Sequence, residues 1–321
     1  MPYPPVGTDV LARLAPEVGS GLARLRADVG GVSPAGPLAL ADLRIAQLLG
    51  DEPVPWALTA ASPPIEGPRL RMLSQWPTSP LFSDGERTVL GCTEQFVIDV
   101  AGVDDRLRTE LRSVLGPSSM LDVVVALFVL DYGRRVTMVL DRLFPGDPPL
   151  GSGGGPDGSA ARPGSTTGMG LLDGFDRLSR SVALLDAIDP VTTELVRLRG
   201  ARQHNCRLCQ STRSARALES GADEDLFDCT ERYEASDLVE SQKVALRLTD
   251  AIITGPGGVD ASLADQAHRC FTPEQVVELV MDVMRNSGQK VAVALAADDP
   301  HVTSGFERFE ITADGEVNYL V

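Results

Sequence analysis

The sequence predicts an all-α protein that closes with a small carboxy-terminal β-hairpin. Apolar residues recur at helical spacing along most of the chain, and capping signals stand ahead of several of those runs. Only the last stretch alternates with the period of a strand.

The elements follow from local chemistry. The apolar run "MLDVVVALFVL" (Met120 to Leu130) is too short to span a bilayer and carries Asp122, so it reads as a core helix. Asp189-Pro190 places a capping carboxylate before a proline at the first helical position. Thr272-Pro273-Glu274-Gln275 repeats that start and adds a capping-box glutamine. Val276, Val277, Leu279, Val280, Val283 and Met284 then form an apolar face. At the end, "RFEITADGEVNYL" alternates around Asp314-Gly315, a hairpin-type turn.

Residues 146–170 are rich in Gly, Ser and Pro and read as a flexible linker. It separates residues 1–145 from residues 171–300, and residues 301–321 carry the hairpin. The halves look like tandem repeats. Leu107, Pro117, Leu121, Val124 and Arg134 match Leu263, Pro273, Val277, Val280 and Lys290 at an offset of 156, and "GVDDRL" echoes "GVDASL". Val89, Val97 and Ile98 match Val244, Ile252 and Ile253 at an offset of 155.

A formal charge of −16 over 321 residues argues against nucleic-acid and anionic-membrane partners, which demand clustered Lys and Arg. The amino terminus lacks a basic start and an apolar run, and the cysteines number five, so the expected address is the cytoplasm.

The chemistry concentrates in "ELVRLRGARQHNCRLCQSTR", Glu194 to Arg213. On the helix from Pro190, the apolar stripe is Val191, Leu195, Leu198 and Ala201, and Glu194 points into it. A carboxylate so placed is either a proton-handling group or half of a structural ion pair. With Asn205 capping a new helix, Cys206, Cys209 and Arg213 share one face, where backbone N–H groups and the guanidinium favour thiolate. The spacing fits a redox dithiol and equally fits two small buried residues. A zinc site lacks its further ligands, so no metal and no cofactor are expected.

The pattern of glutamate, eleven residues and Cys-x-x-Cys resembles AhpD-type alkyl hydroperoxidases of the carboxymuconolactone decarboxylase superfamily. The resemblance runs through "RSARALESGADEDLF" to about residue 298. It implies an AhpD-like multihelical fold that forms homo-oligomers. It also implies that Cys209 attacks a hydroperoxide or disulfide substrate, Cys206 resolves it, and an external dithiol reductant restores both. Glu194 would serve a proton relay. Two positions depart: Arg213 and Leu208 stand where the family has histidines. Arginine does not pass a proton at neutral pH, which leaves His204 as the substitute. A decarboxylase-like enzyme and a non-catalytic redox-sensing oligomer are the alternatives. Residues 39–64 hold no cysteine and many prolines, so the first half reads as a degenerate repeat packed on the active one, with Cys92 buried.

Overall fold

The computed structural model describes residues 8–56, 65, 67–145 and 166–320. The first half contains α1 (Thr8–Leu14), α2 (Pro16–Val29), α3 (Ala35–Leu49), α4 (Gly67–Arg71), α5 (Asp84–Ile98), α6 (Asp105–Leu115) and α7 (Pro117–Leu143). The second begins with α8 (Gly168–Ala183), α9 (Pro190–Gln203), the single turn α10 (Arg207–Gln210) and strand β1 (Thr212–Ser214). It continues through α11 (Ala215–Glu219), α12 (Glu224–Asp228), α13 (Glu240–Thr254), α14 (Ala261–Cys270), α15 (Pro273–Ser287) and α16 (Lys290–Ala294). Strands β2 (Glu307–Ile311) and β3 (Val317–Leu320) close the chain. The protein is all-α apart from this small sheet.

The capping signals work as written. Asp189 accepts the Thr192 N–H at 2.9 Å, and Thr272 and Gln275 form a reciprocal capping box. Residues 146–165 of the expected linker lie outside the described residues. Its last residues are helical instead, because the Thr167 hydroxyl accepts the Gly170 N–H and starts α8 at Gly168.

Helices α5, α6 and α7 begin 156 residues before α13, α14 and α15, and α3 begins 155 before α9. Buried apolar side chains of both halves merge into one large core cluster, beside which Leu40, Leu43, Leu73, Phe82 and Leu90 form a smaller one in the first half. Helix α7 is its axis and is buried on all sides from Val123 to Leu140. Charged groups tie the halves together within that core. Arg135 donates to Asp131 (2.6 Å) and to the carbonyls of Ile252 (2.9 Å) and Ile253 (2.7 Å). Lys290 reaches Asp131 at 2.9 Å and lies over the Phe96 ring. Burial pushes the Lys290 ammonium down to about 8, although Asp131 pulls the other way.

Asp42 stands 155 positions before Arg197. It accepts Arg134 (2.8 Å) and the Trp56 N–H (2.7 Å). The Trp56 indole is buried against Gly133, where a Cβ would overlap the ring, and its N–H reaches Thr137 at 3.3 Å. Cys92 is fully buried.

The expected hairpin is present, with Phe309 opposite Tyr319. It is not a free appendage, because β2 also pairs in parallel with β1, Arg213 facing Arg308. The strand that follows the cysteines is thereby an edge of the same sheet. Among the described residues, no single helix is long and apolar enough to cross a membrane.

Candidate functional site: a cysteine pair beside a buried ion pair

Helix α9 is buried on nearly every face from Glu194 to Ala201, so its polar side chains there need partners inside the protein. Glu194 is 1% exposed. Arg197, one turn on, holds both carboxylate oxygens at 2.7 Å, and the Ser214 N–H adds a third bond at 3.1 Å. Arg197 also donates to the carbonyls of Cys209 (2.9 Å) and Thr212 (2.7 Å) and to the Thr212 hydroxyl (3.2 Å). Its face lies against the Phe309 ring.

Helix α9 stops at Gln203. Asn205 adopts a left-handed φ of 50° and does not cap the next turn. Cys206 is itself the cap, its Sγ accepting the Cys209 N–H at 3.2 Å. The expectation of an Asn205 cap is corrected accordingly. The sulfurs of Cys206 and Cys209 are in bonding contact, with Cα atoms 5.4 Å apart. The loop is fixed from outside by Asp298, whose carboxylate takes the Arg207 N–H (2.9 Å) and whose carbonyl takes the Leu208 N–H (3.0 Å).

Arg213 is the second correction. It does not share a helical face with Cys209, because the turn ends at Gln210 and the backbone then enters β1. Its guanidinium pairs with Glu224 at 2.8 Å and stacks on Phe306, 3.6 Å from the ring centre. The cation beside Glu194 is Arg197. Sheet pairing with β2 turned Arg213 away, which local helical spacing did not foresee.

His204 is buried in the interface between halves. Its Nε2 lies 2.9 Å from the Tyr132 hydroxyl and 3.1 Å from the Ser287 hydroxyl. Burial, reinforced by the charges of Lys290 and Arg135, holds its pKa well below 6.5. It is therefore a neutral, hydrogen-bonded core imidazole at neutral pH.

Two cavities flank the ion pair, and Arg197 and Phe309 line both. The first, about 750 Å³, has Cys209 in its wall together with Leu208, Phe175, Leu295 and Tyr319. Cys209 is half-buried, whereas Cys206 is 1% exposed. The second, about 430 Å³, opens on Glu194, Ser214, Glu278 and Asp282. Glu278 accepts the N–H groups of Ala187 (2.7 Å) and Ile188 (3.3 Å), and burial pushes its carboxyl up to about 7. Burial also raises Asp282, which meets Arg285 at 3.3 Å. Among the described residues, no three His, Cys, Asp or Glu side chains gather to hold a metal ion.

Comparison with known proteins places the chain in a family. No family model matches the chain, and no solved structure matches it. Two Mycobacterium tuberculosis proteins do match: "Uncharacterized protein Rv2313c" of strain H37Rv and "Uncharacterized protein MT2376" of strain CDC 1551. Each is 39% identical over 242 residues, covering 73% of this chain and 81% of its own length. The chain belongs to their family. The names in that family carry no activity, so the chemistry rests on the site itself. Sequence reading missed Arg197 there, although its position three residues after Glu194 is the spacing of a helical ion pair. Phe309 and Tyr319 carry no local signal of a role near Cys209, since the fold alone brings the carboxy-terminal strands to the cavity.

Proposed function

We propose that the protein is a thiol-dependent oxidoreductase of the AhpD-like type that works through Cys206 and Cys209. One observation carries the reading. A bonded Cys-x-x-Cys pair presents its second sulfur to a cavity of about 750 Å³ while its first is buried at a helix cap. An approaching substrate meets Cys209, and Cys206 waits within bonding distance to resolve the product.

The Cys209 thiolate attacks the distal oxygen of a hydroperoxide, the O–O bond breaks, and the alkoxide leaves as alcohol after taking a proton. Cys206 then attacks the sulfenic acid, the S–S bond forms and water departs. An external dithiol gives two electrons and two protons to restore the pair. A small disulfide entering the same cavity would be reduced by the same two thiols. Glu194 belongs to this site through Arg197, which holds the Cys209 carbonyl and the carboxylate together. His204 and Arg213 stand outside it. The reading calls for a reducing compartment, the cytoplasm, and includes the homo-oligomer that the resemblance implies. It also takes the two halves as a duplicated unit whose first copy lost its cysteines and was filled by Trp56.

The test is hydroperoxide consumption by the purified full chain with a dithiol reductant, followed by peptide mapping of the oxidised protein. Turnover that Cys209→Ser abolishes, with a peptide joining Cys206 to Cys209, supports the reading. Equal consumption by the serine variant, or linkage to Cys92, Cys229 or Cys270 instead, would overturn it.

A further inference from the structure

The resemblance to a known family stops at about residue 298, yet one wall of the Cys209 cavity comes from beyond that point. Phe309, Glu316, Val317 and Tyr319 of the hairpin line it together with Phe175 on α8 and Leu208 in the cysteine turn. The hairpin is fixed at both ends. Strand β2 pairs with β1, the Glu307 N–H reaching the Ser211 carbonyl at 2.9 Å. The turn at the other end sits on the last turn of α8. There Gly315 has a φ of 83°, a Cβ would come within 2.5 Å of the Arg180 carbonyl oxygen, and the Arg180 side chain ion-pairs with Glu316.

The charges around this cavity are matched inside and unbalanced at the rim. Arg197 is paired with Glu194 at 2.7 Å and Arg285 with Asp282 at 3.3 Å. On the cysteine turn, Arg207 is held by both Asp298 (2.9 Å) and Asp299 (2.8 Å). At the exposed rim, Arg180 pairs with Asp176 and Glu316, and Asp173 stands beside them. Three carboxylates against one guanidinium leave two surplus negative charges at the entrance.

We propose that the carboxy-terminal hairpin is the specificity wall of this site, admitting uncharged apolar molecules to Cys209 and turning anions away. An anion that enters meets the surplus carboxylates, gives up water to apolar walls and, among the described lining residues, finds every cation already matched. An uncharged molecule with an apolar body gains from the same walls. The substrate class of the dithiol is accordingly an uncharged organic hydroperoxide or disulfide, and a peroxide or disulfide bearing carboxylates is excluded. That assignment of substrate rests on the dithiol reading above, whereas the selection by charge does not.

The experiment compares two reagents of nearly equal size, neutral iodoacetamide and anionic iodoacetate, on Cys209 of the reduced, full-length protein at low ionic strength. Labelling is read peptide by peptide, and a blocked, uncharged cysteine peptide supplies the intrinsic ratio of the two rates. The ratio cancels the thiolate fraction, so it reports access alone. Cys209 should favour iodoacetamide by about a further fivefold, the factor for two unit charges roughly 10 Å away in a water-like dielectric. Salt at about 0.5 M should bring that below about twofold. The double variant Asp173→Asn/Glu316→Gln leaves Arg180 matched to Asp176 and should fall within about twofold of the peptide at low salt. Gly315→Ala should lift the turn from α8 and speed iodoacetamide labelling by about threefold or more. A wild-type ratio equal to the peptide's, a ratio that the double variant leaves in place, or no acceleration in Gly315→Ala overturns the specificity wall. The dithiol reading then still stands if peroxide is consumed. Selection by charge with no peroxide consumed sinks the dithiol reading alone, and a Cys209 inert to both reagents in every variant sinks both.

Discussion

Glu278→Gln should make the protein more stable at pH 8 while changing little at pH 5. Glu278 is 3% exposed, and its side chain accepts two backbone N–H groups from the loop that leads into α9. Burial raises its carboxyl from 4.5 to about 7, with Asp282 one turn away adding to the shift. The folded chain therefore keeps a proton that the unfolded chain releases between those two values. The stabilisation from this proton is complete below pH 4.5 and is lost as pH rises through 7. At about 1.4 kcal/mol for each tenfold change in proton affinity, the ceiling is about 3 kcal/mol. Access through the second cavity screens the charge and brings the expected effect to about 1–2 kcal/mol. Glutamine keeps an acceptor for the Ala187 and Ile188 amides and removes the ionisation. Urea unfolding of both proteins at pH 5 and pH 8 measures the difference. Wild type should lose about 1–2 kcal/mol more than the variant between the two conditions, or on the order of 1.5–3 °C in Tm. A difference under about 0.3 kcal/mol would refute the assignment of a buried, neutral Glu278.

Arg213→His should leave Cys209 alkylation and peroxide turnover within about twofold of wild type, since this arginine faces Glu224 and Phe306 and not the cysteines. A rise of tenfold in turnover would return it to the site. Trp56→Ala should cost about 3–5 kcal/mol in chemical denaturation, because the indole fills the space over Gly133 and its N–H reaches Thr137. A loss below about 1 kcal/mol would show that the first half does not depend on this plug. Tyr132→Phe should cost about 1–2 kcal/mol by removing one of the two hydroxyls that meet the buried His204 Nε2, measured in the same way. No loss would mean that the three groups are not a coupled network.

What the sequence determined by itself was local. Capping chemistry at Asp189 and Thr272 and the 3.6-residue spacing after them specified helices, since each signal needs only neighbours within one turn. The alternation around Asp314-Gly315 specified the hairpin for the same reason, and the burial of Glu194 followed from its place in an apolar stripe. Partnership was decided by the tertiary structure. Arg213 and Arg197 both lie within reach of Glu194 in sequence, and which one pairs depends on where the chain turns after Cys209. That turn was set by β2, contributed from about 95 residues downstream. His204 looked like a turn residue until α7 and α15 closed over it, bringing Tyr132 and Ser287 to its ring. Hydrogen bonds and ion pairs are short-ranged and strongly directional, so a site's partners are chosen only when distant elements meet. Helix and turn signals are spent within a few residues, and they were legible at once.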